Sequence, residues 1–173
     1  MQPTSVGLGN YGKTSGFYER QLRTFDKLSP AQAAVKDTES GEAVGMIPHW
    51  RELTAWFKQN IPLDRVAIIH GDYKMDNCVF HETEPRVIGI LDWELSTIGH
   101  PLSDLANLLQ PHGLPGAGSS SLTGFVGRED LQGIPSLQEA HAQYLKSSGW
   151  NPADDWSFAE AFAHLRVMNI QSG

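Results

Sequence analysis

The chain has 173 residues, 40% hydrophobic and 19% charged, with 13 Lys and Arg against 20 Asp and Glu for a net charge of -7. This fits a globular domain, or one lobe of a larger one, with enough apolar residues for a core, and the acidic balance speaks against nonspecific binding to nucleic acid or to an anionic membrane surface. No apolar run approaches the roughly 20 residues of a membrane span, the N-terminus has neither the basic start nor the apolar core of a secretory signal, and the single cysteine, Cys78, excludes an intramolecular disulfide and points to an intracellular setting, cytoplasm or organelle matrix.

Residues 1–16 contain Gly7, Gly9, Gly12 and Gly16 and read as a loop. Gly7 to Gly12 spell G-x-G-x-x-G, but a dinucleotide fingerprint needs a preceding strand, for which there is no room. Lys13 follows too closely to be the strand lysine of a kinase glycine-rich loop. Residues 17–35 read as a helix, with Leu22 and Phe25 on one side and Pro30 as a candidate break. After a small, polar loop at 38–45, a second helix fits 48–59, where Trp50, Leu53, Trp56 and Phe57 recur at helical spacing and Pro48 suits the first turn. Asp37, Glu39 and Glu42 between these helices read as a solvated acidic patch.

The period then changes. Residues 66–69, Val-Ala-Ile-Ile, read as a buried strand; 78–80 and 87–91 read as two more, joined as a hairpin through Pro85. Residues 102–110 form a helix just after Pro101. Residues 111–134, rich in Gly and Pro and with a serine run at 119–121, form a long loop. Ser136-Leu137-Gln138-Glu139 is a capping box and Gly149 the matching stop. Ser157-Phe158-Ala159-Glu160 reads as another, ahead of a stripe of Phe158, Phe162 and Leu165, with Asp154 and Asp155 at the helix start. The class is α+β, mostly helical, with a small β-hairpin.

The chemistry lies between residues 70 and 104. His70-Gly71-Asp72-Tyr73-Lys74-Met75-Asp76-Asn77 follows a buried strand and fits H-x-D-x-x-x-x-N, the catalytic-loop pattern of kinases. Asp92 ends the second arm of the hairpin. Pairing those arms brings Asn77 beside Asp92, so that two oxygen donors face one point, which suits a hard cation such as Mg²⁺. Asp72 is then placed to accept a hydrogen bond from an attacking hydroxyl. The histidines at 70, 81, 100 and 112 lack zinc-ligand spacing.

This segment, with Leu91-Asp92-Trp93-Glu94 and Gly99-His100-Pro101-Leu102-Ser103-Asp104-Leu105-Ala106, resembles the aminoglycoside phosphotransferase and choline kinase group, which shares the protein-kinase fold. The wording is most similar to that of phosphotransferase domains associated with acyl-CoA dehydrogenases. The resemblance implies a catalytic base at Asp72, magnesium ligands at Asn77 and Asp92, structural support from His70 and Asp104, and a cofactor-binding role for Lys74. Glu94 stands where protein kinases have a glycine and takes no role from the resemblance. The cofactors implied are ATP and Mg²⁺, and the partner a hydroxylated small molecule, either a hydroxyacyl thioester or an amino sugar or amino alcohol, lying over the 111–134 loop and the last helix.

The glycine-rich hairpin, strand lysine and helix glutamate of the family's nucleotide lobe are not found. The whole chain, 1–173, is therefore expected to be one catalytic, C-terminal lobe, with the nucleotide lobe missing or carried, like a fused acyl-CoA dehydrogenase domain, on a longer chain. The alternative is a truncated, non-catalytic binding module.

Overall fold

Five helices and two short antiparallel ladders share this chain in the computed structural model, which describes residues 3–36, 38, 40–116 and 124–171. Asp37 and Glu39 of the acidic patch, and the serine run at 119–121, lie outside the described residues. The helices are α1 (Phe17–Ala33), α2 (Trp50–Gln59), α3 (Leu102–Leu109), α4 (Leu137–Ser148) and α5 (Trp156–Gln171). The strands are β1 (Ala67–Ile69), β2 (Cys78–Phe80), β3 (Val87–Ile90) and β4 (Thr97–Gly99).

The expected hairpin forms between β2 and β3, with Cys78 opposite Ile90 and an irregularity at Val79 and Phe80. The strand at 66–69 has a partner that the sequence did not announce: β4 pairs antiparallel with β1, Ile68 opposite Ile98. Gly99 is required there by space. A Cβ on it would lie 2.6 Å from Ile69 and 2.8 Å from the Phe17 ring, so only glycine lets α1 close on this ladder.

Two apolar cores lie on either side of α5. Phe158, Phe162 and Leu165 face Tyr18, Leu22 and Phe25 of α1, Phe57 of α2 and Ile69 of β1. Trp156, Ala159 and Ala163 face Leu102, Leu105, Ala106 and Leu109 of α3. A helix buried from two sides is apolar around much of its circumference, so the single stripe expected at 158, 162 and 165 is half of what α5 buries. In the first core, Tyr18 meets Phe158 and Phe162 edge-on, with ring centroids 4.8 and 4.9 Å apart.

Three helix boundaries differ from expectation. Pro30 does not break α1, because it sits exposed in the last turn, where one lost backbone hydrogen bond is tolerated. Pro48 precedes α2 rather than opening it, since His49 takes a left-handed conformation (φ 57°) before the first helical residue. Ser157 is not a cap. The chain turns earlier, where Asn151 Oδ1 accepts from the Ala153 N–H at 3.2 Å, and a 3-10 turn at Ala153–Asp155 runs into α5. The Ser136 box is present in both directions, at 3.3 and 2.8 Å, and Gly149 stops α4 at φ 74°.

Candidate active site

The loop after β1 is held from below by one carboxylate. Asp104, in the first turn of α3, accepts from the backbone N–H of His70 at 2.6 Å through Oδ2 and from that of Gly71 at 2.9 Å through Oδ1. Burial raises the Asp104 pKa; these two hydrogen bonds and the charges of His70 and Arg166 oppose the shift without cancelling it. Gly71 turns the chain at φ 89°, and a Cβ there would lie 2.3 Å from the Leu95 carbonyl oxygen, so no other residue fits. From α5, Arg166 donates to the Gly71 carbonyl.

His70 is buried, and both its ring nitrogens are used. Nδ1 accepts from the Asp72 N–H at 3.2 Å, which leaves Nε2 to donate to the Leu91 carbonyl at 2.7 Å. Its ring lies 4.7 Å from that of Trp93, whose indole N–H donates to the Ile90 carbonyl at 2.9 Å. The Leu91 N–H in turn donates to the Asn77 carbonyl at 2.8 Å. Leu91 is thus pinned on one side to Asn77 and on the other to His70, and the next residue is Asp92. Asp92 is one of two non-glycine residues with positive φ (65°) among those described, a conformation that aspartate tolerates better than most and that clusters at functional sites.

Asp72 is the most heavily contacted carboxylate of the loop. Its Oδ2 pairs with Lys74 Nζ at 3.1 Å and accepts from Asn77 Nδ2 at 3.3 Å. Its Oδ1 accepts from Asn107 Nδ2 at 3.4 Å, and its backbone carbonyl accepts from Asn77 Nδ2 at 2.8 Å. Burial pushes the Asp72 pKa up, but the hydrogen bond and charge of Lys74, the Asn107 amide and the charge of Arg166 together hold it below the usual carboxylate range. Asp72 is therefore ionised at neutral pH and able to accept hydrogen bonds.

Of the residues expected to form the site, Asp72, Lys74 and Asn77 are in direct contact, His70 and Asp104 bond the loop's backbone, and Asp92 follows Leu91, whose N–H bonds the Asn77 carbonyl. Asn77 commits its amide nitrogen to Asp72, so its Oδ1 is the oxygen that could serve a cation together with the Asp92 carboxylate. Two oxygen donors of this kind, completed by phosphate and water, suit Mg²⁺. Among the described residues no group of three or more His, Cys, Asp or Glu side chains is placed to hold a metal.

Two contacts were not foreseen. Asn107 lies one turn after Asp104 on α3, a spacing that could have revealed it. Arg166 is 95 residues from Gly71, and nothing local signals their contact.

An aspartate and an asparagine in contact on one loop, a hairpin returning to a second aspartate, and a helix carboxylate strapping the loop fit a kinase-like phosphotransferase fold. A family model described as "Phosphotransferase enzyme family" matches residues 1–150, and the chain belongs to that family. It is 36% identical over 176 residues to acyl-CoA dehydrogenase family member 11 of Homo sapiens and 34% identical over 175 residues to family member 10 of Mus musculus. These matches cover 98% and 100% of this chain but 20% and 15% of those proteins, so the chain spans about a fifth of the length of such relatives. It also superimposes, at a TM-score of 0.81 and 33% identity, on a crystal structure described as an aminoglycoside phosphotransferase from Ralstonia eutropha, covering 100% of this chain and 50% of that one. No helix among the described residues is long and apolar enough to cross a membrane.

Proposed function

We propose that this chain carries the catalytic half of a Mg·ATP-dependent kinase that moves the γ-phosphoryl group to a hydroxyl of a small molecule inside the cell. The observation that carries this reading is the pinning of Leu91 between Asn77 and His70, which brings the backbone leading into Asp92 against Asn77 while Asn77 also holds Asp72. Asn77 and Asp92 would hold Mg²⁺, which when bound neutralises charge on the β- and γ-phosphates. Asp72 orients the acceptor hydroxyl and takes its proton late, as the oxygen–phosphorus bond forms. A carboxylate held below its usual pKa is a weak base, which suits a loose transition state in which the hydroxyl keeps its proton until attack is advanced. Lys74, paired with Asp72, is the cation placed to meet the transferred phosphate.

Similarity to acyl-CoA dehydrogenase family members favours a hydroxyacyl thioester as acceptor, with an amino sugar or amino alcohol as the alternative that the Ralstonia structure raises. The test is transfer of labelled γ-phosphate from ATP to a panel of both classes. Transfer to one class, reduced about 100-fold or more in Asp72→Asn, supports the reading; transfer undiminished in Asp72→Asn would sink it.

A specific observation supports a nucleotide lobe as the partner of this chain, carried on a longer polypeptide as the lengths of the relatives permit. The β2–β3 hairpin leaves Phe80 and Val87, which stand opposite each other, at 53% and 43% exposure, apolar side chains of the kind an interface covers. In the second reading this surface serves a non-catalytic binding module. Asp72→Asn separates the two, since a module keeps its partner and has no turnover to lose.

A further inference from the structure

Between α1, α3 and α5, beside the Asn107 that bonds Asp72, lies a cavity of about 10 Å³. Tyr18, Ser103, Asn107 and Arg166 line it, with the small Ala106 and Ala163 as walls. Tyr18 is 2% exposed, and its hydroxyl has no hydrogen-bond partner among the described residues. A buried hydroxyl left unpaired costs about 1–3 kcal/mol. Such a group in a native core calls for a partner. The volume is about that of one water, and the lining supplies the two to four polar partners a buried water needs. Asn107, which lines the cavity, spends its amide nitrogen on Asp72 Oδ1, so its amide oxygen is the atom with acceptor capacity for a water there.

We propose that this cavity binds a single water molecule that bridges the Tyr18 hydroxyl to Asn107, and that Tyr18 is thereby a positioning residue for Asp72. The chain of contacts runs from Tyr18 on α1, through the water, to Asn107 on α3, and from Asn107 to the carboxylate. It gives α1 a hold on the Asp72 carboxylate that no direct hydrogen bond among the described residues provides. Burial, with the charges of Asp155 and Asp104, raises the Tyr18 pKa, so the phenol stays neutral and keeps the proton it donates.

Two measurements on the whole chain decide the water and need no substrate. A water-selective NMR experiment is expected to show cross-relaxation from a long-lived water to the Asn107 side-chain amide protons, lost in Tyr18→Phe. The same variant should melt about 2–4 °C lower, the loss of roughly one hydrogen bond in a protein of this size. Absence of the cross-peak, its persistence in Tyr18→Phe, or a rise in melting temperature, as expected when an unbonded buried hydroxyl is removed, would overturn the site. The positioning role rests on the kinase reading above. Its measure is Mg·ATP hydrolysis, where Tyr18→Phe should lower kcat several-fold and leave KM for ATP unchanged; an unchanged kcat with the cross-peak lost refutes positioning. Failure of the wild-type chain to bind or hydrolyse ATP counts against the kinase reading, while the cross-peak still decides the water.

Discussion

Single side chains set the geometry of the site, and two of them allow sharp tests. Asp104 satisfies two backbone N–H groups that otherwise face a buried loop. Asp104→Ala leaves both unpaired and should cost about 2–5 kcal/mol, read from urea unfolding, with Asp104→Asn losing less because its amide oxygen still serves one donor. His100 is a pH probe. It is buried, its Nδ1 accepts from the Leu102 N–H at 3.2 Å and its Nε2 bonds the Leu63 carbonyl at 3.2 Å. Burial, aided by Arg65, lowers its pKa from the ordinary 6.5, against the raising effects of Leu63, Asp64 and Asp155. As pH falls through 6.5 the unfolded chain takes up a proton that the folded chain refuses, so stability declines with falling pH until the depressed folded pKa is passed. Unfolding midpoints across pH 5 to 8 should show this slope, and His100→Asn should flatten it; His141, lowered by burial and by His112, leaves a residual slope. At this scale the six expected site residues were legible because a local motif names them. Asn107, Arg166 and Tyr18 were not, because their roles arise from packing between α1, α3 and α5.

Elements were readable where local signals dominate and obscure where tertiary pairing decides. The hairpin arms, α3 and the boxed start of α4 follow from apolar runs and caps. β4 did not, since three residues, Thr97 to Gly99, carry too little pattern, and only the β1 edge makes them a strand. The Ser157 box failed because an upstream Asn151 turn had already begun the helix. No residue of α4 is fully buried, so this helix depends on its caps more than its neighbours do. Ser136→Ala should cost about 1 kcal/mol and appear first as faster amide exchange within α4, with α5 unchanged. Equal acceleration in both helices would mean that α4 is not a separate local unit.

In the whole molecule, two cores meet on α5, and the loop bearing Asp72 is suspended between them by Asp104 and Arg166. The α+β, kinase-like architecture was legible because one motif names the fold; the division of α5 between two cores was not, because it depends on which helices meet. The proposed nucleotide lobe would cover the exposed Phe80 and Val87 of the hairpin and complete the phosphate site with Asn77 and Asp92. The most direct test is thermal unfolding of the chain with ATP alone, Mg²⁺ alone, and both together. A ligand at 100 times its Kd adds about 2.7 kcal/mol, or about 5–10 °C for a protein of this size. The account predicts a rise that needs ATP and Mg²⁺ together and vanishes in Asp92→Ala. A melting temperature unmoved by both, or a rise that survives in Asp92→Ala, would contradict the assignment of Asn77 and Asp92 as the metal-binding pair.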